Sequence, residues 1–174
     1  MALHTIPTGL KFFSPSVLIA TCFGAGLIKP ASGSWGSLAG FAIGLVFLQY
    51  LPNEMLIIAA GFAYFIGLWA CRIWLSHAQN MKDSDQDNDQ HTDPQAIVID
   101  EVAGLWLTLA IAPPTLTGYV TAFILFRFFD ITKIWPASWA DQKLNGPHGI
   151  MLDDIFAGCW AALLLLIAQA FKLI

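Results

Sequence analysis

Charged residues are scarce in this chain, making up 11% of its 174 residues against about 25% in a typical soluble domain. Apolar residues make up 57%. A disordered protein needs the opposite balance, so disorder is excluded. Eight Lys and Arg against twelve Asp and Glu give a net charge of −4, which argues against nucleic-acid binding. The apolar excess indicates a membrane protein.

Close cysteine pairs are also missing. Cys22, Cys71 and Cys159 are far apart and lie in apolar stretches, so the sequence contains no zinc or redox motif. The length fits one domain, and we predict a single unit over residues 1–174.

Long apolar windows dominate the chain and cover residues 12–28, 37–51, 55–75, 96–112, 115–135 and 153–172. A helix needs about 20 apolar residues to cross a membrane. We therefore expect an all-α, polytopic membrane helical bundle with about five spans. The window at 12–28 contains Pro15, and we expect a short interfacial or re-entrant segment there.

The distribution of Lys and Arg predicts the orientation. The loops at 51–54 and 113–114 contain neither residue, whereas the opposite ends of the spans carry Lys29, Arg72, Lys82, Lys133 and Lys143. We expect those basic ends to face the cytoplasm.

One strongly polar segment lies at residues 76–94, between the third and fourth windows. Its Asp83, Asp85, Asp87 and Asp89 alternate as in an EF-hand loop, but Asn88 replaces the required Gly and Pro94 the bidentate Glu. We interpret the segment as a solvated cytoplasmic linker and expect a helix to start at Asp93-Pro94.

Seven charged residues lie inside the apolar windows or at their ends, where an ionised group is costly and normally has a function or a fixed partner. They are Asp100, Glu101, Arg127, Asp130, Lys133, Asp153 and Asp154. The predicted topology places them at the same ends of three helices, so they can form one site. Five acids outnumber two cations, which favours a bound divalent cation over structural ion pairs. All-oxygen ligands suit Mg²⁺.

Two further segments are candidate parts of this site. The run PASGSWGSL at residues 30–38 contains Gly33, Ser34, Gly36 and Ser37, which suit either an anion-binding loop or an ordinary loop. The turn at 145–149 is expected to present Asp153 and Asp154 at the start of the last helix. His148 in this turn is a candidate proton donor or simply a solvated residue.

Four ordered motifs resemble the phosphatidylglycerophosphatase A family of bacterial membrane lipid phosphatases. They are PASGSWGSL at 30–38, IVIDEVAG at 97–104, FRFFDITKIWP at 126–136 and GIMLDDIFAG at 149–158. Ile134 departs from the family pattern, which has proline there, and so does the turn at 145–149. Neither departure touches an acid.

This resemblance implies Mg²⁺-dependent hydrolysis of phosphatidylglycerophosphate to phosphatidylglycerol and phosphate, at the cytoplasmic face of the bacterial inner membrane. The metal ligands would be Asp100, Glu101, Asp153 and Asp154, and Asp130 would be a further ligand or would orient Arg127. The substrate-binding groups would be Arg127, Lys133, Ser34, Gly36 and Ser37. The alternative function is divalent-cation transport through the same carboxylates.

Overall fold

The computed structural model describes residues 2–84 and 94–173, and this part of the chain is built from helices. The seven α-helices are α1 (Pro15–Ala20), α2 (Ser32–Leu48), α3 (Met55–Ser84), α4 (Ile99–Leu109), α5 (Leu116–Thr132), α6 (Ala137–Lys143) and α7 (Pro147–Ala170). Short 3-10 turns lie at Ala25–Leu27 and Pro94–Ala96. An isolated bridge joins Leu3 to Ile28. The prediction of an all-α fold is confirmed.

The prediction of about five membrane spans is wrong. Among the described residues, two helical stretches are long and apolar enough to cross a membrane, Met55–Gln79 and Pro147–Ala170. Helix α4 has 11 residues, so at 1.5 Å per residue it is about 16 Å long, against a hydrocarbon core of about 30 Å. Helices α2 and α5 have 17 residues each. The apolar windows extended into turns and loops, which lengthened the predicted helices.

The N-terminal segment is a short piece, as expected. Helix α1 has six residues and packs against α3. After it, Cys22 and Phe23 adopt left-handed backbone conformations, which end the helix before the 3-10 turn.

The polar segment at 76–94 begins as helix rather than as a linker, because α3 continues to Ser84. Helix α4 begins at Ile99, later than the predicted start at Asp93-Pro94. Asp85, Asp87, Asp89 and Asp93 lie outside the described residues.

Helix α4 is the centre of the bundle and packs against α2, α3, α5 and α7. Glycines permit these close contacts. A Cβ at Gly158 would lie 2.5 Å from the Gly104 carbonyl oxygen, and one at Gly104 would lie 2.3 Å from the Asp154 carbonyl oxygen. Side chains at either position would separate α4 from α7, so both glycines are required for the close approach of the two helices.

The contacts also give the helix directions. Gly36 and Gly44 on α2 meet Val98 and Leu109 respectively, so α2 runs parallel to α4. Helix α7 is parallel to α4 as well, because Gly104 contacts Asp154 and, one turn further along both helices, the Thr108 hydroxyl donates to the Gly158 carbonyl at 3.3 Å. Helices α3 and α5 run the other way, since Leu56 packs near Leu109 in the same cluster and the end of α5 reaches the start of α4. The starts of α2, α4 and α7 therefore meet the end of α5 at one end of the bundle.

Large apolar side chains cover much of the outer surface. Exposed members include Ile58, Phe62 and Phe65 on α3, Ile124 and Phe128 on α5, and Leu163 and Leu166 on α7. Exposed apolar surface of this extent is typical of a surface that contacts lipid or protein rather than water.

Candidate active site

Acidic side chains from three helices gather at the end of the bundle where α2, α4 and α7 begin. Asp100 and Glu101 lie in the first turn of α4, where the helix dipole favours carboxylates. Asp153 and Asp154 lie on α7, and Asp130 lies near the end of α5. Asp100, Glu101, Asp153 and Asp154 are all buried. The structure therefore brings the predicted acids of different helices into one cluster.

Glu101 and Arg127 belong to a hydrogen-bonded network. The Ser37 hydroxyl donates to Glu101 Oε2, and Arg127 Nη1 donates to Ser37 Oγ at 2.9 Å. Arg127 Nη1 also lies 3.3 Å from Glu101 Oε2 and donates to Asp130 Oδ2 at 2.6 Å. Asp130 is thus bonded to Arg127, as one of its two predicted roles requires.

Lys133 joins α6 to α7. Its Nζ donates to Asp141 Oδ1 at 2.7 Å and to Asp153 Oδ2 at 2.7 Å. Burial disfavours the charged amine, but the two carboxylates outweigh this effect and raise the pKa of Lys133 above its usual range. Lys133 is therefore a fixed positive charge at neutral pH.

Two of the acids have no ion-pair partner in the described part of the chain. The ion pairs in the described part of the chain reach Glu101, Asp130, Asp141 and Asp153, and none reaches Asp100 or Asp154. Asp153 Oδ1 is buried and has no hydrogen-bond partner. Six acids thus share two cations, and a buried excess of negative charge is costly unless a cation or protons relieve it.

Burial and the excess of negative charge affect the pKa values of the two acids on α4. Burial raises the pKa of Glu101 to about 7, although the hydrogen bond from Ser37 and the charge of Arg127 oppose the rise. Burial, together with the negative charges of Glu101 and Asp153, raises the pKa of Asp100 well above its usual range. Both groups therefore hold protons more tightly than an exposed acid does.

The donor chemistry of the cluster fits Mg²⁺, which prefers carboxylate oxygens. Asp153 Oδ1 has no hydrogen-bond partner, and Asp100 and Asp154 have no ion-pair partner among the described residues, so these acids supply oxygens that a cation would satisfy. In the described residues no three His, Cys, Asp or Glu side chains already form a metal-binding group. A bound ion would therefore have to draw the carboxylates together.

The PASGSWGSL run is helical from its third residue and is not a loop. Ser32–Leu48 is helical, with Ala31 in a left-handed conformation before it. Gly36 is buried against Val98, and a Cβ there would lie 2.4 Å from Val98 Cβ. Ser34 is exposed on the first turn. The predicted Ser34 and Gly36 are thus outside the polar network, and Ser37 alone of the three lies in it.

The paired aspartates are not at the start of the last helix. Helix α7 begins at Pro147 and has no acid in its first turn, so the dipole argument does not apply to Asp153 and Asp154. His148 is exposed, and its Nδ1 lies 3.3 Å from the Tyr64 hydroxyl.

Sequence reasoning missed Asp141. It lies on the short helix α6, eight residues after Lys133. The only available signal was an acid close to a candidate cation, which is too common to be specific.

The fold and this cluster define a class of protein: a helical bundle with an apolar exterior and a buried site of carboxylates, Arg and Lys at one end. Carboxylates with paired cations suit the binding of a divalent ion and a phosphate group. The model of the family "Phosphatidylglycerophosphatase A" matches residues 18–169, and the chain belongs to this family. It is thus a phosphoric monoester hydrolase.

Relatives agree with this assignment over most of the chain. A Haemophilus influenzae protein named phosphatidylglycerophosphatase A is 34% identical over 165 residues, covering 94% of each chain. An Escherichia coli protein of the same name is 34% identical over 154 residues, covering 88% of this chain and 83% of the relative. A Bacteroides thetaiotaomicron protein, named provisionally as a phosphatidylinositol-3-phosphatase, is 29% identical over 88% of this chain and 92% of its own. No solved structure matches.

Proposed function

We propose that this chain hydrolyses phosphatidylglycerophosphate to phosphatidylglycerol and inorganic phosphate in a Mg²⁺-dependent reaction of phospholipid biosynthesis. The observation that carries the proposal is the buried cluster in which Asp100 and Asp154 lack ion-pair partners among the described residues. The names of the two 34% identical relatives supply the substrate.

Asp100, Glu101, Asp153 and Asp154 would hold the Mg²⁺. When bound, the ion neutralises charge on the phosphomonoester and lowers the pKa of a bound water. The carboxylates of α4 and α7 are fixed relative to each other by the contact between Gly104 and Gly158, so their spacing depends on backbone packing.

Arg127 and Lys133 would bind phosphate oxygens. Arg127 has only Nη1 committed in the hydrogen bonds described above, which leaves other guanidinium donors for a phosphate. Lys133 lies between Asp141 and Asp153, so a phosphate would compete with these acids for its amine. Ser37 would keep Glu101 in place.

The test is phosphate release from phosphatidylglycerophosphate in detergent micelles by the purified protein, with Mg²⁺, after chelation and after Mg²⁺ is restored. We expect release to stop and return. Release that is unchanged by chelation would disprove the Mg²⁺ requirement. Phosphatidylinositol-3-phosphate and phosphatidic acid serve as comparison substrates, and faster release from either would disprove the proposed substrate.

Divalent-cation transport remains the second candidate function, because it uses the same acids. Protein that binds Mg²⁺, releases no phosphate and carries the ion across liposome membranes would support transport instead. The acids at one end of the bundle favour hydrolysis, since a transporter needs access from both sides.

The end of the bundle that holds the acid cluster, here called the charged end, also carries Lys133 and Lys143. We propose that this end faces the cytoplasm, at the inner membrane. Lys143 lies in the last turn of α6. An impermeant amine reagent should label it in inside-out vesicles and not in intact spheroplasts. Labelling in spheroplasts would invert the topology.

A further inference from the structure

An apolar groove runs along the outside of the bundle where the end of α5 meets α7. Its volume is about 310 Å³, and its lining is entirely apolar: Phe129, Ile134, Trp160, Leu163, Leu164 and Ile167. A second hollow of about 190 Å³ shares Trp160 and Leu163 with it. The two hollows therefore adjoin at these two side chains.

The groove begins beside the charged cluster. Phe129 directly precedes Asp130, and Ile134 directly follows Lys133. Along α7, Trp160 is seven residues beyond Asp153, or about 10 Å, and Ile167 is about 10 Å further. Because α7 starts at the charged end, the groove leads from the Lys133–Asp153 ion pair toward the apolar part of the bundle.

Aromatic contacts hold Phe129 and Trp160 in place in the wall of the groove. The rings of Phe129 and Trp160 are stacked, with centroids 6.3 Å apart and planes at 19°. Trp160 Nε1 donates to the Trp135 carbonyl at 3.0 Å, so its polar group is satisfied. The faces that remain are apolar and held in place without a ligand.

We infer that this groove binds an acyl chain of the phosphomonoester lipid and thereby positions the substrate. The inference rests on the proposed function. A phosphate bound at Lys133 pairs with a positive charge. The headgroup glycerol and the phosphodiester separate this phosphate from the diacylglycerol unit, whose acyl chains extend into the apolar region. One leaflet of the hydrocarbon core is about 15 Å deep, which is comparable with the reach of the groove along α7.

The test compares two substrates that share a headgroup. Dioleoyl phosphatidylglycerophosphate has long chains, whereas the dihexanoyl form has chains too short to extend along the groove from Trp160 to Ile167. The variant Leu163→Trp fills the groove from a position that lines both hollows and is 46% exposed, so the core is undisturbed. We expect the ratio of kcat/KM for the dioleoyl form to that for the dihexanoyl form to fall about tenfold, as for lost burial of about two methylene groups.

Leu166→Trp is the matched control. Leu166 lies on the same helix and is 51% exposed, but it lines neither hollow, so the substrate ratio should equal that of the wild type. An equal change in the ratio in both variants, or no change in Leu163→Trp, would overturn the inference. A dimeric wild type that becomes monomeric in Leu163→Trp would also overturn it, because the groove would then be a subunit interface.

A second measurement separates this inference from the proposed function. Dioleoyl phosphatidylglycerophosphate with a diazirine in one chain is crosslinked to wild-type protein after chelation, and the labelled peptides are identified. Labelling of residues 160–167 that unlabelled substrate displaces supports the groove even if no hydrolysis occurs. Displaceable labelling confined to other helices disproves the groove, whatever the activity. Absence of hydrolysis on both substrates by wild type disproves only the proposed function.

Discussion

The charged end of the bundle and the opposite end, here called the apolar end, are built from the same helices. They differ in whether their polar groups have partners. At the apolar end, Asn53 Nδ2 donates to the Ala112 carbonyl at 2.8 Å and Gln169 Nε2 to the Ile111 carbonyl at 2.9 Å, so each amide satisfies a carbonyl of the turn after α4. Leu109 and Leu165 are fully buried there. At the charged end, counted over the residues that the structure describes, six acids share two cations. One end thus stabilises the fold, while the other keeps an excess of acids that is costly unless a cation or protons relieve it.

The largest expected effect is on the charged end. Asp154→Asn and Asp100→Asn keep the size of each side chain and remove one buried negative charge. We expect each variant to lose about 100- to 1000-fold in kcat and to unfold at the same or a higher temperature than wild type. The measurements are phosphate release and thermal unfolding in detergent.

Asp85→Asn is the control for charge removal, since Asp85 belongs to the predicted linker and should leave activity nearly unchanged. Wild-type turnover in Asp154→Asn or Asp100→Asn would remove that residue from the metal site. An inactive Asp85→Asn variant would overturn the linker prediction.

The apolar end should respond in the opposite way. Leu109→Ala removes a fully buried side chain and should lower the free energy of unfolding by about 2–5 kcal/mol. Turnover per folded molecule should equal that of wild type, because Leu109 lies two turns beyond the acids of α4. Denaturant titration and active-site-normalised rates measure the two effects. A loss of turnover in the folded fraction would show that the two ends are not separable.

Much of the fold was predictable from local patterns, but the lengths of the helices were not. Apolar windows give the positions of α2, α3, α5 and α7. They do not show that Ile99–Leu109 is a short helix, because buried loops and buried helices have the same composition. The five-span prediction failed for this reason, since hydropathy measures burial and not helix length.

The acids of the site were predictable because an ionised group in an apolar window is rare. The partners were not. Ser37 contacts Glu101 across 64 positions of sequence, and Lys133 meets Asp141 only because α6 folds back beside α7. Gly36 fits an anion-binding loop in sequence, yet its role is close packing against Val98. Contacts of this kind depend on tertiary packing, which a single sequence does not specify.

Gly158 lies at the contact between α4 and α7, so a change there should affect both stability and turnover. In Gly158→Ala the added Cβ would lie 2.5 Å from the Gly104 carbonyl oxygen, and α7 must move away from α4. We expect a loss of about 1–3 kcal/mol in stability and a fall in turnover, because the carboxylates on the two helices separate. Thermal unfolding and phosphate release measure both.

Gly61→Ala is the matched control on α3, where a Cβ would meet nothing within 4 Å. It should be neutral, or more stable by about 0.5–1 kcal/mol. Equal activities in Gly158→Ala and wild type would show that the distance between α4 and α7 is not critical.

The smallest effect is expected at the edge of the charged end. Asp141 has a side chain that is 45% exposed, and it shares Lys133 with Asp153. An exposed ion pair contributes about 0.2–1 kcal/mol. In Asp141→Asn, Lys133 retains Asp153 as a partner and has one fewer acid in competition with the substrate phosphate. We therefore expect kcat/KM to rise by less than about fivefold, with the rise carried by KM and reduced by added salt. Lys143→Gln on the same helix is the control and should leave KM unchanged. A tenfold or greater fall in kcat/KM in Asp141→Asn would instead mean that Asp141 positions Lys133 and is as important for activity as Asp153.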